Sequence, residues 1–200
     1  METLKKYKKE LRNTVLSQRR SLSSKEKQAL DNQLFKTVIS VLKKPEWTAG
    51  FRQGCFLYTY VSMQDEADTK KLLAWCWENG IKTAVPKVTG SVMEFYEIIS
   101  MNCLEPGFMG ILEPNSTCPL IPRNESLGFM IVPGTAFGRD GSRIGYGGGF
   151  YDKYLEGQTK LFTAGCCYGF QLFSSVPHSS LDVKMDLIIT EKEVLEHGIT

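Results

Sequence analysis

Apolar residues recur at helical spacing through the N-terminal part of the chain. Leu4, Tyr7, Leu11 and Val15, then Leu30, Leu34, Val38 and Leu42, stand mostly three or four apart among Lys, Glu and Gln. This predicts two amphipathic helices, over residues 4–20 and 24–43. Ser23, followed three residues later by Glu26, has the form of a capping box opening the second. After a connection containing Pro and Gly the pattern changes. Residues 55–61 (CFLYTYV) are rich in aromatic and branched side chains and predict a strand, followed by a helix over 69–79 that Gly80 stops. Residues 81–85 predict the next strand, closed by Pro86, and residues 93–99 another. Short apolar runs at 129–132, 161–168 and 187–189 predict three more. The stretch 107–124, with Pro114, Pro119 and Pro122, reads as a surface loop.

Strand, helix, strand is the recurring unit. It predicts an α/β fold, a three-layer sandwich in which helices cover both faces of a largely parallel sheet. No repeat or linker composition interrupts it, so a single domain over residues 1–200 is expected. With 42% hydrophobic and 23% charged residues, a chain of this length can bury roughly two-thirds of its unfolded surface.

Charge and cysteine usage narrow the function classes. The net charge is +2, yet the first twenty residues hold seven Lys or Arg (Lys5, Lys6, Lys8, Lys9, Arg12, Arg19, Arg20) against Glu2 and Glu10. Such a helix either meets an anion or presents a solvated face. The rest of the chain has no basic stripe or nucleic-acid motif, so no nucleic-acid partner is expected. Six cysteines at 55, 76, 103, 118, 166 and 167 form no C-x-x-C pair, and only His178 and His197 could join them. A structural zinc site is therefore not expected, and a reducing compartment is. No apolar run approaches the length that spans a bilayer, and the charged start lacks a signal-type apolar segment. A cytoplasmic, monomeric protein is expected.

The segment IVPGTAFGRDGSRIGYGGGFYDKYL, residues 131–155, carries the chemistry. An apolar strand meets a Pro-Gly break, then a loop with five glycines between Gly141 and Gly149, then a helical stretch from Phe150. Glycines allow positive φ and let a ligand approach the main chain. The crevice beyond a strand's carboxyl end, beside a helix start, is a place for a phosphate. Neither the phosphate-loop pattern G-x-x-x-x-G-K-[ST] nor the dinucleotide fingerprint fits. Arg143 and Asp152 flank the glycines, a fixed cation and a carboxylate suited to Mg2+ on either side of one cradle. Without them, a long turn would explain the loop equally well.

Pro133, Gly134, Phe137, Gly141, Arg143, Ile144, Gly145, Gly147, Gly149, Phe150, Tyr151, Asp152 and Leu155 together resemble the hallmark of the 5-formyltetrahydrofolate cyclo-ligase family. Similarity extends to Lys8 and Arg12, to Ser62-Met63-Gln64-Asp65-Glu66, to Gly110–Pro114, and to Asp182 and Asp186 with Ile189-Thr190-Glu191. The chain departs from some members at Gly148, where they carry Lys, and at Tyr146, where they carry Arg or His. The resemblance implies a three-layer α/β/α fold and conversion of 5-formyltetrahydrofolate and ATP, with Mg2+, to 5,10-methenyltetrahydrofolate, ADP and phosphate. It implies a phosphorylated formyl group on the path, and no covalent protein intermediate is expected.

From that resemblance, Arg143 and Tyr151 are the expected catalytic residues. ATP is expected to meet Lys8, Arg12, Arg143, Ile144, Gly145, Tyr146, Gly147, Gly148, Gly149, Phe150 and Tyr151. The folate is expected to meet Val61, Met63, Glu66, Tyr146, Gly147, Gly148, Gly149 and Phe150, and the metal Asp152 and Asp182. Each has a plainer alternative. Lys8 and Arg12, four apart on one helical face, could be a solvated pair, and Arg143 a surface salt bridge. Asp152 could be an acidic residue favoured by a helix dipole, and Asp182 and Asp186 could cap a connection. Glu66 offers the acceptor-only partner that a pterin's N–H groups need. Tyr146, Phe150 and Tyr151 could stack on a ring or simply pack. Two rival readings are another ATP-dependent activator of a small carboxamide or carboxylate on this scaffold, and a non-catalytic nucleotide- or RNA-binding relative.

Overall fold

The computed structural model describes residues 2–63, 65–107 and 110–197. Five parallel strands make the centre of an eight-stranded sheet, in the order β12 (Leu187–Ile189), β10 (Leu161–Cys166), β7 (Gly128–Val132), β1 (Phe56–Tyr58) and β2 (Thr83–Thr89). Antiparallel strands complete both ends. β13 (Val194–Glu196) lies beside β12, and β3 (Val92–Ile98) and then β6 (Leu120–Ile121) lie beyond β2.

Alternation along the central strands produces the layers, because successive side chains leave a strand on opposite faces. Phe129 and Ile131 join Leu57, Ala164, Cys166, Leu187 and Ile189 on one face. There they pack with Leu34, Val38 and Leu42 of α2 (Ser24–Leu42), Phe51 of α3 (Pro45–Arg52) and Leu72 and Cys76 of α4 (Lys70–Glu78). Met130 and Val132, with Phe56, Tyr58, Ala84 and Ile188, face the other way onto Tyr154 and Leu155 of α5 (Phe150–Leu155). The result is the expected α/β/α sandwich. On the α5 side a small three-stranded sheet adds to the layer, in the order β11 (Leu172–Phe173), β8 (Ala136–Gly138), β9 (Arg143–Ile144). Helix α1 (Glu2–Arg20) is tied to it through Val15, which is fully buried with Ala136, Ile144 and Val176. Burying that side chain stabilises the contact by roughly 1.5–3 kcal/mol. It also fixes the basic helix beside the glycine segment.

The capping box forms as expected, with Ser23 and Glu26 exchanging hydrogen bonds at the start of α2. Several local expectations are corrected. Pro86 lies inside β2 and does not close it. The carbonyls of Lys82 and Ala84 point toward β1, so the nitrogen of Pro86 points the same way, and β1 has already ended there. Its missing N–H therefore removes no ladder bond. β2 and β3 form an antiparallel hairpin with no helix between them. Residues 107–124 contain β5 (Leu112–Pro114), paired with β4 (Leu104–Pro106), as well as β6, so this stretch is not one wandering loop. The connection before β1 contains α3. Gln64 of the resembling motif lies outside the described residues. No helix among the described residues is long and apolar enough to cross a membrane.

Candidate active site

β1, β7 and β10 are parallel neighbours, so their carboxyl ends lie at one edge of the sheet. A small polar cleft, of about 10 Å³, lies there. Tyr60 and Glu66 come from the chain after β1, Pro133 and Gly134 from the chain after β7, and Gln171 from the chain after β10; Arg19 and Tyr146 close it. This is the crevice that an open α/β sheet offers to ligands.

The glycine loop is built by the chain between β7 and α5. Ile144 turns into the core beside Val15, which aims its neighbour Arg143 the opposite way. Arg143 is only 4% exposed. Its Nη2 donates to Asp152 Oδ1 at 2.8 Å and its Nη1 to the Pro133 carbonyl at 3.2 Å, while Nε is buried with no hydrogen-bond partner among the described residues. Gly147 and Gly149 take φ of +111° and +66°, which lets the main chain wrap back over this cation without a Cβ penalty. Gly149 is the N-cap of α5 and offers no side-chain cap. At six residues α5 is short, so the positive character of the loop comes chiefly from side chains.

Those side chains arrive from α1. Arg12 Nε donates to the Gly145 carbonyl at 2.9 Å, and its terminal nitrogens lie against the open face of Gly147. Lys8 Nζ reaches both oxygens of Asp182, at 2.7 and 2.6 Å. Asp182 Oδ2 also accepts the main-chain N–H and hydroxyl of Ser179. Burial alone would raise the Asp182 carboxyl, but the hydrogen bonds from Lys8 and Ser179 hold it below the usual range. Asp152 Oδ1 takes Arg143 and the Val183 N–H, at 3.2 Å, whereas Oδ2 has no hydrogen-bond partner among the described residues. Asp186 accepts the N–H and hydroxyl of Thr163 through its carboxylate, the contact expected of a residue that caps a connection.

On the opposite wall, Glu66 is buried and accepts the Met63 N–H at 2.9 Å. Tyr146 is 41% exposed by surface area even though its hydroxyl is sequestered against Arg19 at 2.7 Å. Burial of that hydroxyl, then the Glu66 carboxylate, push the phenol above its ordinary range. Burial likewise raises Tyr151, whose hydroxyl has no hydrogen-bond partner among the described residues and whose ring lies 5.9 Å from the Arg143 guanidinium.

The structure thus brings Lys8, Arg12, Arg143, Asp152, Asp182, Tyr146, Tyr151 and the glycines 145, 147, 148 and 149 around one loop, with Glu66 and Met63 across the cleft. Phe150 and Tyr151 are partly buried against the core cluster of α5, so of the three loop aromatics Tyr146 is the most exposed. Val61 is buried with Leu73, Val85 and Ile98, behind the cleft. Sequence reasoning missed Arg19 and Gln171. Arg19 had a signal: Lys8, Arg12, Val15 and Arg19 follow the spacing of a single helical face.

Comparisons with known proteins point to one family. A sequence model of the 5-formyltetrahydrofolate cyclo-ligase family matches residues 4–191. A probable 5-formyltetrahydrofolate cyclo-ligase of Schizosaccharomyces pombe is 29% identical over 184 residues, covering 84% of this chain and 88% of its own. The 5-formyltetrahydrofolate cyclo-ligase of Haemophilus influenzae is 30% identical over 145 residues, covering 69% and 77%. Among solved structures, 5,10-methenyltetrahydrofolate synthetase of Aquifex aeolicus superposes with a TM-score of 0.81 at 29% identity, over 95% of this chain and 92% of that one. The Mycoplasma pneumoniae 5,10-methenyltetrahydrofolate synthetase shares the fold, with a TM-score of 0.69 at 23% identity over 92% and 98%. Matched along nearly its whole length, the chain belongs to the 5-formyltetrahydrofolate cyclo-ligase family.

Proposed function

We propose that this chain converts 5-formyltetrahydrofolate and ATP to 5,10-methenyltetrahydrofolate, ADP and phosphate, with Mg2+. The observation that carries the reading is the convergence of Arg143, Arg12 and Lys8 on a loop opened by left-handed glycines, facing a buried carboxylate across one cleft. A formamide carbonyl is a poor electrophile. Its oxygen attacks the γ-phosphorus and ADP departs. Nitrogen 10 then attacks the activated carbon, and phosphate and the nitrogen's proton leave.

The chain's part in the first step is electrostatic. Negative charge gathers on the transferring phosphoryl group, and preorganised donors stabilise it without rearranging. Arg143 is held by Asp152 and Pro133 before any ligand arrives, so its charge is preorganised beside the loop. Arg12 keeps its two terminal nitrogens on the open side of Gly147. Lys8 can exchange Asp182 for a phosphate oxygen at small cost, because both partners border solvent, with side chains 18% and 19% exposed. Glu66 takes the pterin N–H groups, and the exposed ring of Tyr146 offers a stacking face.

Among the described residues no group of three or more His, Cys, Asp or Glu side chains could hold a metal by itself. The donor set fits an ion carried in by the nucleotide, since Mg2+ keeps several waters and takes one or two carboxylates together with phosphate oxygens. Asp152, with Oδ2 unengaged, would be the first such carboxylate, and Asp182, now paired with Lys8, would be the second. When bound, the ion neutralises phosphate charge. The test is to mix the protein with 5-formyltetrahydrofolate and Mg-ATP and follow the ultraviolet absorbance of the methenyl product against ADP release. One ADP per methenyl group is expected. Nucleotide binding without product would favour the non-catalytic alternative.

A further inference from the structure

Arg19 belongs to none of the roles assigned above, yet it is among the most buried charged residues of the chain, at 3% exposure. It sits in the last turn of α1, one helical face on from Lys8, Arg12 and Val15. Its guanidinium is divided between the two walls of the cleft. Nε donates to the main-chain carbonyl of Asp65 at 2.7 Å, and Nη1 donates to the Tyr146 hydroxyl at 2.7 Å. Nη2 lies 3.1 Å from Asp65 Oδ1 but off the line of a hydrogen bond, so that contact is an ion pair only. The guanidinium carbon also stands 5.7 Å from the centre of the Tyr146 ring. Asp65 precedes Glu66 in the turn that forms one wall, and Tyr146 lies in the glycine loop that forms the other.

Besides its ion pair with Asp65, this buried cation spends two charge-assisted bonds on neutral oxygens from two separate loops, a use that charge pairing alone does not require. α1 is independently anchored by Val15, so Arg19 is not needed to hold the helix down. We infer that Arg19 is a positioning residue, a brace that sets the separation between the folate-side turn at Asp65–Glu66 and the nucleotide-side loop at Tyr146. It rests on the proposed reaction only for the identity of the two substrates. The consequence is that both substrates feel the same brace: loosening it misplaces Glu66 and the glycine loop together.

Tyr146→Phe removes the bridging hydroxyl from a side chain whose ring is partly in solvent, and Arg19→Lys keeps the charge while losing the fork. Each is expected to raise KM for ATP and for 5-formyltetrahydrofolate together, by about tenfold or more for a lost charge-assisted bond, with kcat changed less. The double variant should be no worse than Arg19→Lys alone, because both substitutions break one link. Hydrogen exchange without substrates supplies an arm independent of turnover. The amides of Asp65–Ala67 and of Gly145–Gly149 should both exchange faster in Tyr146→Phe, which keeps the test alive even where Arg19→Lys fails to fold. A rise in KM for one substrate only, additive effects in the double variant, or wild-type protection in either segment overturns the brace. Absent turnover in the wild-type protein with loosened exchange in Tyr146→Phe would retire the proposed reaction and leave the brace standing.

Discussion

Removing the charge of Asp152 while keeping its shape separates catalysis from folding. In Asp152→Asn the Oδ1 atom still accepts Arg143 Nη2 and the Val183 N–H, so the loop retains both contacts. What is lost is the charge-assisted part of the Arg143 bond, the difference between about 1.5–3 and about 0.5–1.5 kcal/mol. A stability loss of about 1 kcal/mol is expected. That small change contrasts with the fate of turnover. If Asp152 and Arg143 act on transition-state charge, losing one such contact costs about two to three powers of ten, or roughly 2.7–4 kcal/mol. The replaced Oδ2 becomes an amide nitrogen, which cannot take a metal ion, so half-saturation by Mg2+ should also move to higher concentration. Arg143→Ala should lose turnover similarly, and Arg143→Lys should recover only part of it, because an ammonium cannot reach Asp152 and Pro133 at once. Arg143 is buried, so its alanine variant melts lower than a surface ion pair would predict. The assay is turnover against Mg2+ and against ATP, with a melting curve for each variant. Wild-type turnover in Asp152→Asn at limiting Mg2+ would remove the carboxylate from the metal and leave Asp182 as the candidate. Wild-type turnover in Arg143→Ala would mean that Arg12, Lys8 and the main-chain amides hold the phosphates without it.

Three other outcomes follow from the same geometry. Lys8→Ala should raise the Asp182 carboxyl toward its ordinary value, read by NMR titration. Since the folded group is held low, the stability it contributes is present above the unfolded value of about 3.9 and is lost as pH falls through the lower folded value; the variant should lose that extra acid tolerance, about 1 kcal/mol of stability, and affinity for ATP. An unmoved Asp182 titration would refute the pairing. Gly145→Ala places a Cβ 2.7 Å from Arg143 Nη1, and because Arg143 is pinned at both terminal nitrogens it should lower kcat by at least about tenfold, a displacement effect on a positioned group; unchanged kcat would show that Arg143 has room to move. Native alkylation should label Cys103, whose thiol burial would raise but hydrogen bonding, including its contact with the Ser100 hydroxyl at 3.7 Å, brings below its ordinary value, ahead of the buried Cys76, Cys166 and Cys167, which burial raises. Turnover should survive, and loss of turnover tracking Cys103 modification would place that thiol at the site.

Long amphipathic faces were the most legible features. Leu34, Val38 and Leu42 recur at helical spacing because α2 covers one face of the sheet, and the same periodicity carries α1. α3 escaped notice because residues 45–52 (PEWTAGFR) lack that period, although Pro45 at its first turn is a start signal. The β2–β3 hairpin also had a signal: Gly90-Ser91 between two strand-like runs is a two-residue turn, and Gly90 takes φ +62°. Strands of two or three residues such as β8, β9 and β11 have too few positions to show any alternation. The glycine loop and its flanking charges were visible because composition there is unlike the rest of the chain. Their partners were not, since Lys8 meets Asp182 and Arg19 meets Tyr146 across long sequence separations. Val61 is buried and Phe150 partly buried against the core, so the pattern that marks a motif position does not tell which of its atoms face a ligand.

The proposed chemistry has a direct isotopic test. The formyl oxygen of 5-formyltetrahydrofolate is replaced with oxygen-18, the protein is given Mg-ATP, and the released phosphate is analysed by mass. Phosphorylation of that oxygen requires that it leave with the phosphate, so one labelled phosphate per methenyl group formed is the predicted result. Methenyl product accompanied by unlabelled phosphate, or no product from folded protein, would contradict the account.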